Sequence, residues 1–137
     1  MPTDQPVSRE DSVRNEYHDM CNRMSTMDKV TIAQIEGRVG GGGSEFSMGF
    51  DMRFGALGKT KINQMEVPLG ILPGGTGTQK LPRLIGRNRA IEIILAGVDI
   101  TADEAERWGY LNRALRRRRD PSNAYRPARK PRRLGQE

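Results

Sequence analysis

Two carboxylates stand out for where they sit. Glu45 closes the stretch GRVGGGGSEF, in which four consecutive glycines run into a serine and an acid. Glu66 lies twenty-one residues further on, in a segment dense in glycine and proline. Glycine loses more conformational freedom on folding than any other residue. Four in a row therefore mean either a disordered linker or a backbone that must come very close to something. The flanks favour close approach: VTIAQIEG precedes the run and SEFSMGFDMRF follows it, whereas a flexible linker is bordered by polar residues. A strand, then glycines, then a helix start is an arrangement that aims backbone N–H groups at an anion. Such donors could hold a developing oxyanion while two carboxylates move protons beside it. Each acid also has a plainer reading. The helix dipole favours acids in a first turn, and a loop glutamate is ordinarily solvated.

Other chemistries fail on their residue requirements. GGTGTQK (74–80) lacks the Gly-Lys-Ser/Thr pairing of a phosphate loop. Neither glycine cluster gives the spaced dinucleotide pattern in context. Ser44 is followed by Glu45 and Phe46, so it is no nucleophile elbow. His18 and Cys21 are the only histidine and cysteine, which rules out an internal disulfide and nearly excludes a zinc site of the usual kind. No metal is expected. The unpaired cysteine fits a reducing cytosol, and a cytoplasmic location is expected. The N-terminus has no signal-peptide pattern, and no apolar run reaches membrane-spanning length.

The net charge of +6 suggests a polyanion partner, but its distribution argues otherwise. From Arg113 onward there are ten Lys/Arg and two acids, so that end is +8; the rest holds thirteen basic and fifteen acidic residues and is −2. The stretch 116–137 has three prolines, one leucine and no periodicity, and it is expected to be a disordered tail. Residues 1–8 read as a flexible lead-in.

Between them, the elements that must hold the two acids can be placed. Ser8 and Asp11 can cap a helix whose apolar stripe is Val13, Tyr17, Met20, Cys21, Met24 and Met27. That stripe reads as a packing face, with His18 off it and solvated. Residues 30–37 read as a strand, 44–54 as a helix, 55–82 as mostly loop and turn, and 83–97 as a helix stopped by Gly97. Thr101 and Glu104 have capping-box spacing, Gly109 ends that helix, and YLNRAL begins an extended segment.

VTIAQIEGRVGGGGSEFSMGFDMRF, followed by PGGTGTQKLPRLIG and ADEAERWGYLNRAL, resembles the enoyl-CoA hydratase/isomerase (crotonase) family over about residues 9–115. The resemblance implies an α/β fold, a spiral of ββα turns, here truncated at both ends. It implies hydration, or double-bond isomerisation, of a 2-enoyl-CoA thioester. Glu45 matches the general base that activates water, and Glu66 matches the acid that protonates the α-carbon. Met65 stands where the family sets a proline before that second acid. The Gly42 amide matches one oxyanion donor, and Gly41, Gly43, Pro73 and Gly74 match substrate-binding positions. The second donor and much of the coenzyme A pocket belong to the part of the family fold that precedes residue 9. No cofactor is implied beyond the coenzyme A carried by the substrate. The acyl-CoA is the implied partner, with a homotrimer or hexamer as the assembly and neither specific nucleic acid nor membrane. Two rival readings stand beside this one: a polyanion-binding module built on the basic tail, and an inactive remnant of a longer gene. Salt separates the first from thioester chemistry, because phosphate-backbone binding weakens steeply with salt while hydration depends on Glu45.

Overall fold

The computed structural model describes residues 16–116. The lead-in, the Ser8–Asp11 helix start, Val13 and the tail beyond residue 116 lie outside the described residues. Chain order runs α1 (Glu16–Ser25), β1 (Ile32–Ile35), β2 (Arg38–Gly40), α2 (Gly42–Ser47), β3 (Met52–Ala56) and β4 (Lys61–Asn63). A 3-10 turn (Val67–Leu69) follows, then α3 (Gly77–Ile85), α4 (Arg87–Ala96), β5 (Ile100–Thr101), α5 (Ala102–Trp108) and β6 (Arg113–Leu115).

The strands alternate between two small sheets. β1, β3 and β6 are parallel neighbours in one, with Ile32 opposite Met52 and Phe54 opposite Arg113. In the other, β2 lies parallel to β4, and β5 closes the edge antiparallel. Parallel neighbours need a crossover, and α2 supplies it: the chain leaves β2, passes through α2, and returns to lay β3 on β1 and β4 on β2. The repeat is strand, strand, helix, and it winds as a spiral. Thr60 locks its corners. The Thr60 hydroxyl accepts the Ala56 N–H at 2.8 Å and donates to the Ile35 carbonyl at 2.5 Å. Between the layers lies a core that includes Ile35, Ile62, Leu81, Ile93, Tyr110 and Leu111.

Several expectations change. The helix read over 44–54 is only α2, ending at Ser47, and Met52–Ala56 is strand. Gly49 turns the chain with its N–H on the Phe46 carbonyl at 2.8 Å, and pairing with β1 outweighs the local helical pattern. The supposed loop 55–82 contains β4, the 3-10 turn and most of α3, which tolerates Pro82 inside it. The helix read over 83–97 is two helices broken at Gly86, where φ is 83° and ψ 156°. On α1 the packing face is narrower than the stripe: Cys21 is buried, whereas Met20 and Met27 are exposed. His18 is not a purely solvated side chain, because its Nε2 donates to the Gly74 carbonyl at 2.7 Å.

The stop and start signals hold. The Thr101 N–H donates to the Glu104 carboxylate at 2.8 Å, closing the box. Gly97 and Gly109 end their helices at φ 60° and 87°. At Gly97 a Cβ would also lie 2.3 Å from the rigid Pro68 ring. Gly97→Ala is therefore expected to destabilise the chain by about 2–4 kcal/mol, combining left-handed strain with overpacking. Urea denaturation checks this; an unchanged midpoint would refute it.

Candidate active site

The glycine run begins inside a strand. Gly40 is the last residue of β2 and faces Asn63 at the end of β4. A Cβ on Gly40 would sit 2.1 Å from the Asn63 Oδ1. Gly41 takes φ 52° and turns the chain into α2; a Cβ there would lie 3.2 Å from the Glu66 Oε1. On Gly43 it would lie 3.2 Å from Val39. Three of the four glycines are thus set by close approach. Gly42 differs, because its open side meets only the Tyr17 ring at ordinary contact distance. The Tyr17 hydroxyl donates to the Gly42 carbonyl. Burial, together with the neighbouring Cys21 and Glu45, raises the pKa of this phenol, so it stays a donor.

Glu45 occupies the first turn of α2 and is 4% exposed. Its Oε1 accepts the Gly77 N–H at 2.7 Å. The segment from Pro73 to Gly77 folds over this carboxylate. A Cβ on Gly75 would be 2.3 Å from Oε2, and one on Gly77 would be 2.9 Å from Oε1. Between them Thr76 holds φ 136°, the positive-φ non-glycine among the described residues. Such a conformation costs about 1–3 kcal/mol. It turns the following peptide so that its N–H meets Glu45. Pro73 is buried beneath this segment, and the Gly74 carbonyl is taken by His18.

Glu66 caps the 3-10 turn, its carbonyl accepting from Leu69 at 2.9 Å and Ile71 at 3.1 Å. Its side chain is 7% exposed and turns back toward Gly41. Burial is the largest cause of its raised pKa, and the negative charge of Glu45 adds to it. Both sequence-predicted acids therefore reach the same helix start, with Gly41 and Gly42 between their elements. The residues the sequence reading missed stand behind them. With its nitrogen toward Glu66, the Gln64 amide donates to both carboxylate oxygens at 3.1 Å, and its oxygen accepts from the Ser44 Oγ at 3.0 Å. The Ser44 Oγ is 2.8 Å from the Tyr110 hydroxyl, which is 2.7 Å from the Ser47 Oγ. Tyr110 and Ser44 are fully buried. Serine directly before the acid, repeated three residues on, was the available signal; nothing near Tyr110 in the sequence pointed to it.

Among the described residues no cluster of three His, Cys, Asp or Glu side chains could hold a metal, and no helix is long and apolar enough to cross a membrane. A groove lined by Glu16, Met20, Met24 and Met27 runs along α1 and includes neither Glu45 nor Glu66.

The raised Glu66 pKa ties stability to pH. A carboxyl that holds its proton more tightly folded than unfolded contributes stability below the unfolded value, near 4.5, and loses it as pH rises through the folded value. Relative to the wild type, Glu66→Gln is expected to gain stability as pH rises above that value. Urea midpoints of the two proteins on either side of it provide the check; a pH-independent difference would contradict it.

The enoyl-CoA hydratase/isomerase family model matches residues 2–128. A short-chain-enoyl-CoA hydratase of Clostridioides difficile is 48% identical over 87 residues, covering 64% of this chain and 55% of that protein. The crystal structure of an enoyl-CoA hydratase from Bacillus anthracis superposes with a TM-score of 0.68 at 36% identity, covering 80% of this chain and 43% of that one. An enoyl-CoA hydratase from Thermoplasma volcanium gives 0.72 at 28% identity, covering 82% and 45%. The chain spans between 12% and 55% of the length of eight proteins that it resembles in sequence. The two-sheet spiral, the glycine run and the sequence match agree, and the chain belongs to the enoyl-CoA hydratase/isomerase family.

Proposed function

We propose that this chain carries the acid–base pair that adds water to, or isomerises, the double bond of a 2-enoyl-CoA thioester. One observation carries the reading: two buried carboxylates, from segments twenty-one residues apart, converge on a glycine helix start in different environments. Glu45 has one oxygen fixed by the Gly77 N–H, which leaves the other to take a proton from water. Glu66 holds its own proton to higher pH than an exposed glutamate, which suits it to deliver that proton to the α-carbon. The Gly42 N–H belongs to the first turn of α2, where amides have no partner within the helix. It would receive the thioester oxygen as it becomes an enolate. A donor of that kind is worth about 3 kcal/mol of transition-state stabilisation.

Gly41, Gly43, Pro73 and Gly74 frame the approach to that oxygen as substrate-binding positions. The chemistry needs no group beyond the coenzyme A that the substrate brings. A trimer or hexamer would complete the coenzyme A pocket, and the single buried cysteine suits a cytoplasmic setting.

The test grafts residues 16–116 into the Clostridioides difficile hydratase in place of its matching segment, with hydration of crotonyl-CoA as the readout. The chimera should turn over substrate. Glu45→Gln and Glu66→Gln should each lower kcat by about 10²–10⁴ with the fold intact by circular dichroism. Turnover that survives both substitutions would refute the assignment.

A further inference from the structure

The polar groups behind Glu66 do more than fill a core. Tyr110 follows α5 by two residues, Ser44 and Ser47 lie on α2, and Gln64 directly follows β4. The Tyr110 hydroxyl and the Ser44 side chain are sixty-six residues apart in sequence. All four side chains are buried. Burying four polar side chains is costly unless each is hydrogen-bonded, and here each is.

We propose that Gln64, Ser44 and Tyr110 are positioning residues, forming a buried hydrogen-bond chain that ends on Glu66 and serves both its ionised and its protonated form by turnover of the Gln64 amide. The inference rests on the reading of Glu66 as the group that gives up and regains a proton. When Glu66 is ionised, the Tyr110 O–H donates to the Ser44 Oγ, and the Ser44 O–H donates to the Gln64 oxygen at 3.0 Å. The Gln64 N–H groups then donate to both Glu66 oxygens at 3.1 Å. Every donor points toward the charge. When Glu66 is protonated, its O–H donates to the Gln64 oxygen, and the Gln64 nitrogen donates to the Ser44 Oγ at 3.0 Å. The Ser44 O–H then donates to the Tyr110 oxygen, and the Tyr110 O–H donates to the Ser44 carbonyl at 3.1 Å. In either state both hydroxyls and at least one Gln64 N–H keep an acceptor; the amide turns and the two hydroxyl hydrogens swing with it. The charged groups around the chain are Glu45 on α2, whose field reaches Glu66, and Arg53 on β3, whose guanidinium lies 5.9 Å from the Tyr110 ring centre. Burial raises the Tyr110 pKa, so the phenol keeps its proton throughout.

The test titrates the full chain without substrate, following carbon-labelled glutamate carboxyls and nitrogen-labelled glutamine side chains by NMR. Glu66 is assigned by the resonance lost in Glu66→Gln. The Gln64 amide resonance is expected to shift with the Glu66 midpoint. Tyr110→Phe should raise that midpoint by about half a pH unit, a roughly threefold change in proton affinity, because hydrogen bonds donated toward an ionised group are the stronger kind. Ser44→Ala cuts the chain beside the amide and should raise it further. A Gln64 amide that ignores the Glu66 transition would overturn the proposal. So would a midpoint unmoved in both variants while the melting temperature falls, which is what a merely structural network gives. If Tyr110→Phe does not fold, Ser44→Ala reads the same midpoint. Substrate is absent, so these results stand apart from the chimera's kinetics, which alone decide whether Glu66 protonates an enolate.

Discussion

The site depends on one hydrogen bond, from the Gly77 N–H to the Glu45 Oε1 at 2.7 Å. It joins two segments: the helix that starts at the glycine run, and the loop that leads into α3. A carboxylate at 4% exposure needs a donor, since a buried charge without one is far too costly to keep. The loop provides it only by running flush against the carboxylate, which is why glycine stands at 75 and 77. Thr76 carries left-handed backbone between them to turn the peptide inward. Strain at one residue is offset by a charge-assisted bond at the next.

The second acid is handled by the opposite means. Glu66 takes its backbone hydrogen bond from its own residue, not from a distant segment as Glu45 does. It is desolvated, set near a like charge, and met by a side-chain amide that offers either face. One carboxyl is thus fixed by a donor from a distant segment, while burial raises the pKa of the other. Two identical side chains stand in different surroundings, and the Gly42 amide lies at the helix start between their elements.

The sequence disclosed the glycine run as a place of close approach, and a Cβ would clash outright at Gly40 and crowd its neighbours at Gly41 and Gly43. Glu45 followed from it, as did the Thr101–Glu104 box and the stops at Gly97 and Gly109, since each signal is local. The two-sheet alternation was hidden. β1 and β2 are four and three residues long with two between them, too short for a period-2 pattern to show where one sheet ends. The Gly/Pro-rich stretch 55–82 concealed β4 and α3, because some of its glycines, Gly75 and Gly77 among them, serve packing against Glu45 rather than turning alone. Ser44, Gln64 and Tyr110 were invisible as a group. Each is an ordinary residue in its own segment, and their contacts span twenty to sixty-six positions.

The central claim is that the loop amide clamps Glu45, and the Gly77 resonance in a proton–nitrogen NMR spectrum tests it most directly, since a hydrogen bond to a carboxylate is charge-assisted. The account predicts a downfield Gly77 amide proton that relaxes upfield in Glu45→Gln. A Gly77 amide at an unstructured shift, indifferent to that substitution, would contradict it.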